Sequence, residues 1–529
     1  MSGMGPIERA ARLLDEAERV FRGHERAEAW LRHHRERLSE PLRLAVTGPP
    51  RAGKSSVVNA LLGEEVAPVV VAGAPDVPVW FHDGRQPVAW VFRTGAPPWS
   101  APMERAAEGG HLVAGSGGDW GEVSRVVAEW PCRALRHVRL LDLPASPTAA
   151  PGRSLAGADG SPMSGAGAVL SGGADAGPGG GAGLGGGAGL GGGAGPGGGA
   201  GAGLGGGGWG GAGEADAVLY VARHLGEGDL GALELLGAGR GVGALPVHVI
   251  VVLSRADETA GGRADALLGA RQIARRRRKE ARVAALCQDV LALSAQMALV
   301  GRSLREEEYA TVAAVAALPR EEADAQLLST DRFTGSASAA GRVALLRRLG
   351  LGGVRLAVTL VRTGARSRTA LGAQLVRQSG LTELQATVSD LFTARREALK
   401  ARSALIALDR LVRAESGPPT AHLAAELDRL VGGAHELREL RVLAGLRTGR
   451  VALPAELAVE ARRLAGGAGT AHAERLGLPA EAPPEELWPA AVDAAGRWHE
   501  QTRVAGTATG RRAAEVVLRS CTAILDDLG

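Results

Sequence analysis

The residues with the clearest chemistry are Gly48-Pro49-Pro50-Arg51-Ala52-Gly53-Lys54-Ser55, in which two glycines enclose four residues and lysine and serine follow. This is the spacing of a phosphate-binding loop. Gly53 lets the backbone curl so that amide N–H groups point inward, and a helix starting at the loop adds positive potential where a polyphosphate sits. In this pattern Lys54 reaches the β and γ phosphates and Ser55 holds Mg2+, while Gly48, Arg51, Ala52 and Ser56 line the remainder. Lysine is scarce here: Lys54, Lys279 and Lys400 are the three among 61 basic residues. An ammonium is a compact point charge and a guanidinium a planar fork, so the choice of lysine at position 54 is not neutral.

Other candidates lie downstream. The run Leu140-Leu141-Asp142-Leu143-Pro144-Ala145 ends a strand on an acid suited to support the Mg2+ ion; the bland alternative is a strand-ending, helix-capping aspartate. Residues 246–253 form an almost continuous apolar run, as in a parallel strand buried on both faces, and deliver Ser254-Arg255-Ala256-Asp257. Asp257 is placed to accept both edge donors of guanine, and the stem of Arg255 to cover the base plane. Adenine lacks that donor pair and would leave a carboxylate unmet, so this acid selects guanine. Ser294, after the strand begun at Asp289, stands where a backbone contact meets the guanine carbonyl. GTP and Mg2+ are the ligands expected.

These residues need a particular set of elements. Leu42 to Thr47 alternates as a strand, and Ser56 to Leu62 reads as the first turns of a helix, so the loop has its strand–loop–helix context. Val88–Arg93, Val123–Trp130, His137–Asp142 and Ala215–Val221 read as further strands, and 263–286 as a helix carrying Arg275-Arg276-Arg277-Arg278-Lys279. That basic run is either a solvated helix face or a surface for anionic lipid headgroups. The expected fold is an α/β P-loop domain, a mostly parallel sheet with helices on both faces, over 41–300. Residues 149–213 are Gly, Ala, Pro and Ser in the main, and composition predicts a disordered insertion within that domain. Lengthening a loop from ~10 to ~60 residues costs only about 1.6 kcal/mol of closure entropy, so the fold can resume after it.

Both chain ends read as helical. Ile7, Ala11, Leu14, Ala17 and Phe21 make one stripe in a segment over 1–40, which needs a partner surface from the far end of the chain. Residues 301–529 are expected to form an all-α bundle or stalk with it, including a long helix over 381–415 and a last one over 485–528 whose Trp488 and Trp498 are core. The chain has 529 residues, a net charge of +4 and 3% aromatics. Such a small charge gives no support to a nucleic-acid role. Cys132, Cys287 and Cys521 are odd in number and without metal-ligand spacing, which suits a reducing cytosol. The N-terminal segment does not read as a signal peptide, and no window reaches about 18 apolar residues.

The order of these pieces, GPPRAGKSSVVNALLGEEV, VVAEWP, VRLLDLPA, ADAVLYVA and VIVVLSRAD, resembles the G domain of bacterial (actinobacterial) dynamin-like GTPases over about residues 40–300. The resemblance implies GTP binding, pairing with itself or with a paralogous dynamin-like partner through the G domain, and helices that pass the nucleotide state to a membrane. It implies a cytoplasmic protein, peripheral on the inner face of the cell membrane through contact with anionic lipid. There are departures. Residues 67–78 contain no threonine or serine where such GTPases position water and metal, Ala145 replaces a glycine, and SRAD replaces Asn/Thr-Lys-x-Asp. These bear on turnover more than on binding. Arg51 lies where guanylate-binding GTPases carry an arginine that stabilises the transferring phosphate, a catalytic role shared with Lys54; the alternative is an arginine paired with a nearby acid. The expected protein is thus a slow or assembly-dependent GTPase, or a non-hydrolysing partner of an active one.

Overall fold

A computed structural model describes residues 5–71, 77–93, 96–106, 110–113, 123–144, 214–237, 246–335, 339–415 and 417–529. The glycine-rich insertion and Ala145 lie outside the described residues, as does part of the 67–78 segment. Among the described residues eleven strands form one sheet: β1 (Leu42–Thr47), β2 (Val69–Val71), β3 (Val79–Asp83), β4 (Val88–Arg93), β5 (Ala96–Arg105), β6 (His111–Val113), β7 (Val123–Trp130), β8 (Val138–Asp142), β9 (Ala217–Ala222), β10 (Val249–Leu253) and β11 (Asp289–Ala292). Their spatial order is β11-β10-β9-β1-β8-β3-β7-β4-β5-β6-β2.

The sheet is mixed, and its two halves differ. From β11 to β8 every neighbour is parallel. At β3 the direction reverses against β8, and β4 runs antiparallel to both β5 and β7. Six of the ten strand pairs among the described residues are parallel, as expected of a mostly parallel sheet, and all four antiparallel pairs lie beyond β8. That half turns antiparallel because β4 and β5 follow each other with two residues between, and only antiparallel strands can be joined so briefly. Sequence reading gave β5 no place.

Alternation along the parallel strands sends side chains to two separate cores. Leu42, Leu44 and Val46 of β1, with Leu219 and Val221 of β9, point to one face. Ala45, Val218, Tyr220 and Ala222 point to the other. The first face is covered by the helix Lys54–Leu62 and by helices from both chain ends: Leu14 of Pro6–Val20, and Leu399 and Leu408 of Arg396–Ala414, belong to the same core. The second face is covered by Glu227–Leu236, Ala266–Arg277 and Ala295–Ser303, and Val312, Leu345 and Leu371 of the helices after residue 305 join that core. A third core, around Trp498, Val517 and Leu464, lies among the C-terminal helices alone.

Where the two ends of the chain meet the sheet, opposite the phosphate loop, charges are buried in pairs. Arg37 Nη2 bonds Asp216 Oδ1 at 3.1 Å, and Asp216 Oδ2 accepts from the backbone N–H of Arg43 at 3.0 Å. Lys400 Nζ donates to Leu38 O at 2.6 Å, so the third lysine of the sequence is a structural tie between the N-terminal helices and Arg396–Ala414. Arg37 and Asp216 are desolvated together, which makes loss of either one costly.

Several helices are shorter than the sequence suggests. The 381–415 stretch breaks at residues 392–395 into Leu381–Leu391 and Arg396–Ala414. The 263–286 helix is Ala266–Arg277 followed by Ala281–Leu286. The last helix is a hairpin of Pro484–Val504 and Ala508–Leu528, the second capped by Thr507, whose Oγ1 accepts from Gly510 N at 3.0 Å. Gly506 weakens a continuous helix and Thr507 caps the next one, so the chain turns at 505–507 instead of running through. Trp498 is fully buried as expected, but Trp488 is 45% exposed and is not core. Among the described residues no helix is long and apolar enough to cross a membrane.

Candidate nucleotide site

The candidate phosphate loop, Gly48 to Ser55, leaves the end of β1, every residue of which is buried. Gly48 has φ of 146°, and a Cβ there would lie 2.0 Å from the carbonyl oxygen of Val221 on β9, so only glycine lets the chain exit between the strands. Gly53, with φ of 92°, turns the chain into the helix Lys54–Leu62 and caps it without a side chain. The first-turn amides of that helix therefore face no capping side chain, which is the arrangement an anion requires. Lys54 Nζ rests 3.4 Å from the carbonyl oxygens of Gly48 and Pro49, long contacts that a phosphate oxygen can replace. Ser55 Oγ donates to Asp142 Oδ2 at 2.8 Å. Two residues 87 positions apart in sequence, assigned separately to one metal, are brought into direct contact by the parallel pairing of β1 with β8. Ser56 is exposed beside them, and Arg51, exposed with φ of 58°, has no hydrogen bond or ion pair among the described residues.

The second loop comes from β10. Ser254 Oγ donates to Ala52 O at 2.5 Å, tying it to the phosphate loop. Arg255 adopts the left-handed conformation at φ of 51°, and its guanidinium pairs with Glu258 at 2.9 Å, so it points along its own loop. Asp257 is 7% exposed. Burial holds its carboxyl above the usual range, opposed by a hydrogen bond from Ser294. Ser294 in turn caps Ala295–Ser303 by accepting from Met297 N at 3.4 Å, and Leu293 O accepts from Ala256 N at 3.2 Å. Every residue assigned to base recognition thus gathers at the ends of β10 and β11, on the same edge as the phosphate loop.

Sequence reasoning missed the residues that brace this second loop. The helix Ala339–Arg362 breaks at Gly350, where φ is 67° and ψ 165°, and its glycines press on Asp257. A Cβ on Gly352 would lie 2.4 Å from Asp257 O, and one on Gly350 would lie 3.9 Å from Asp257 Oδ2. Arg355 Nη1 then donates to Gly261 O and Gly262 O, both at 2.9 Å, clamping the turn after Asp257. The available signal was the Gly350-Leu351-Gly352-Gly353 cluster inside a helical stretch, since glycine kept there has a packing reason. Asn59 was missed too: its amide bonds Ala67 O at 2.7 Å and accepts from Val66 N at 2.9 Å, pinning the segment after the phosphate-loop helix.

No protein-family model matches the chain. Over 479 residues it is 30% identical to the isoniazid-induced protein IniC of Mycobacterium tuberculosis, in strains CDC 1551 / Oshkosh and ATCC 25618 / H37Rv, covering 88% of this chain and 86% of IniC. The chain belongs to the IniC family. Among solved structures, this IniC-family chain is similar to two chains from work on an oligomerised bacterial dynamin pair in the sensing and tethering of membranes. Both are 11% identical and cover 98% of this chain, with 90% and 75% of their own lengths matched and TM-scores of 0.32 and 0.25.

Proposed function

We propose that this chain is a dynamin-like GTP-binding protein that takes GTP with Mg2+ and turns it over slowly or on assembly, passing its nucleotide state to the helices at both chain ends. The observation that carries the reading is the Ser55–Asp142 hydrogen bond at 2.8 Å, formed beside Lys54 on a loop that Gly48 alone can complete. A serine hydroxyl and a carboxylate in contact at a helix N-terminus are a donor set suited to Mg2+, which when bound neutralises polyphosphate charge. Lys54 exchanges its two weak carbonyl contacts for phosphate oxygens. Asp257 accepts from guanine as a carboxylate, with Ser254 holding its loop to the phosphate loop and Ser294 fixing its orientation. Arg51, exposed beside the loop and without a partner among the described residues, is available to the transferring phosphate. Pairing with a second copy or a paralogous dynamin-like partner, and peripheral contact with an anionic membrane, belong to the same proposal and are supported by the sequence resemblance.

A non-hydrolysing role as the structural partner of an active dynamin-like protein is favoured by one observation: residues 67–78 contain no threonine or serine. Calorimetry with GTP and ATP in Mg2+ tests the main reading; equal affinity of the parent and Lys54→Ala, or of GTP and ATP, refutes it. Single-turnover phosphate release, with Arg51→Ala as control, separates a slow GTPase from a silent partner.

A further inference from the structure

Away from the nucleotide site, a cavity of about 990 Å3 opens where the sheet meets the C-terminal helices. Its wall comes from three segments distant in sequence: 279–288 beside β11, 435–451, and 509–519. It holds Lys279, Arg438, Arg441, Arg450, Arg512 and Arg519 against a single carboxylate, Glu515. Solvated basic faces are common, but these cations line a concavity, and one is half-buried with no counter-charge: Arg441 makes no hydrogen bond or ion pair among the described residues. Burial lowers the pKa of Arg441, offset by the nearby Cys287, yet a guanidinium stays protonated in proteins, so the charge is real and unmet. Arg450 is held in place by donating to Ala284 O at 3.2 Å, to Cys287 O at 3.3 Å and to Gln288 O, with the Asp289 carboxylate, itself shared with Arg278 and Arg447, nearby; its Nε is buried without a partner. Arg512 and Arg519 are exposed at the mouth.

A half-buried cation without a counter-charge is expensive, and Arg441 beside Arg450, with the exposed cations Lys279, Arg512 and Arg519 around the same space, calls for an anion carrying several charges. Guanidinium forks match phosphate oxygens, and a cavity of this size takes a small molecule or a headgroup and excludes a duplex. We propose that this cavity binds a phosphorylated anion, gripped by Arg441 and Arg450 and neutralised by Lys279, Arg512 and Arg519. Its occupant bridges the sheet edge and the C-terminal helices, which beside the cavity are joined by Arg447 Nε and Asp289 Oδ2 at 3.5 Å. Of the basic run 275–279, Lys279 alone lines this cavity, and the site stands independently of the GTP reading.

The test uses the full chain carrying Lys54→Ala, so that the phosphate loop cannot take the probe. Calorimetry with inorganic tripolyphosphate is expected to show one equivalent bound, weakened about 10- to 100-fold by Arg441→Ala, the range for losing a charged hydrogen-bonding partner. Sedimentation with phosphatidylglycerol/phosphatidylcholine vesicles distinguishes the sources. Vesicle binding that Arg441→Ala removes and tripolyphosphate displaces assigns a lipid headgroup; tripolyphosphate binding alone assigns a soluble anion. Should Arg441→Ala unfold the chain, the exposed pair Arg512→Ala and Arg519→Ala must weaken binding instead. Unchanged tripolyphosphate affinity in a folded Arg441→Ala chain, or binding of neither probe, overturns the proposal.

Discussion

The two loops of the candidate site are built by different means. The phosphate loop is made by contiguous backbone: Gly48 and Gly53 supply conformations and clearances that other residues lack, and the helix that follows supplies the dipole. The base loop is made by packing. Asp257 owes its position to Ser294 from the end of β11, to Gly350 and Gly352 of a distant helix, and to the clamp of Arg355. One end of the site is therefore specified locally and poised, while the other is specified by tertiary contact and buried. Binding a base there must expose a carboxylate that the fold now holds 7% exposed. Affinity is expected to come chiefly from the phosphate end and discrimination from the base end.

The comparison can be broken most forcefully at Lys54. Lys54→Ala removes charge-assisted bonds at the phosphate end and is expected to lower GTP and ATP affinity together by about 100- to 1,000-fold, measured by calorimetry. A loss confined to GTP would reverse the assignment of the two ends. Matched glycine substitutions come next. Gly48→Ala, with its Cβ 2.0 Å from Val221 O, is expected to destabilise by about 3 kcal/mol in denaturant unfolding and to abolish nucleotide binding. Gly352→Ala, with its Cβ 2.4 Å from Asp257 O, is expected to destabilise by about 1–2 kcal/mol while reducing only the preference for GTP over ATP. Asp257→Asn sharpens the same point: GTP affinity should fall about 10- to 100-fold and ATP affinity stay put, since one buried acceptor of the guanine edge is lost.

The smallest effects are those of pH. Because burial raises the Asp257 pKa, its carboxylate is protonated at higher pH than an exposed aspartate would be, so the GTP-over-ATP ratio should decline as pH falls, and Asp257→Asn should abolish that decline. Stability carries a separate signature. His34 is held neutral, its pKa lowered from 6.5 to about 2 by burial and by Arg37. A base whose folded pKa is depressed contributes its full share above the unfolded value and loses it as pH falls below that value. Stability should therefore drop by about 1.4 kcal/mol per pH unit for this residue between roughly pH 6 and pH 4. His34→Gln should flatten the thermal midpoint against pH; an unchanged slope would place the acid sensitivity elsewhere, with His82, lowered to about 3 by burial and Arg139, the next group to replace.

Much of this was legible in the residues. The strand–loop–helix around Lys54, the strand ending on Asp142 and the apolar run before Ser254 each carry a local pattern, and β1, β8 and β10 form there. The wing around β5 was not legible, because half-exposed strands with proline and serine lack a clean period. Nor were the helix breaks at 392–395 and 505–507, where apolar spacing carries on across a stop that capping and packing decide.

By itself, the order of residues determined that a glycine-bounded turn with the spacing of a phosphate-binding loop stands between a strand and a helix, where it starts, and that lysine stands in it, because a turn of consecutive residues depends on its own backbone conformations. Only tertiary structure decided that Ser55 would touch Asp142, that Gly352 would brace Asp257, and that Lys279 and Arg441 would face one cavity. Those contacts join segments tens to hundreds of positions apart, and what brings them together is the burial of two sheet faces and a helical core, a property of the whole chain that no short run of it contains.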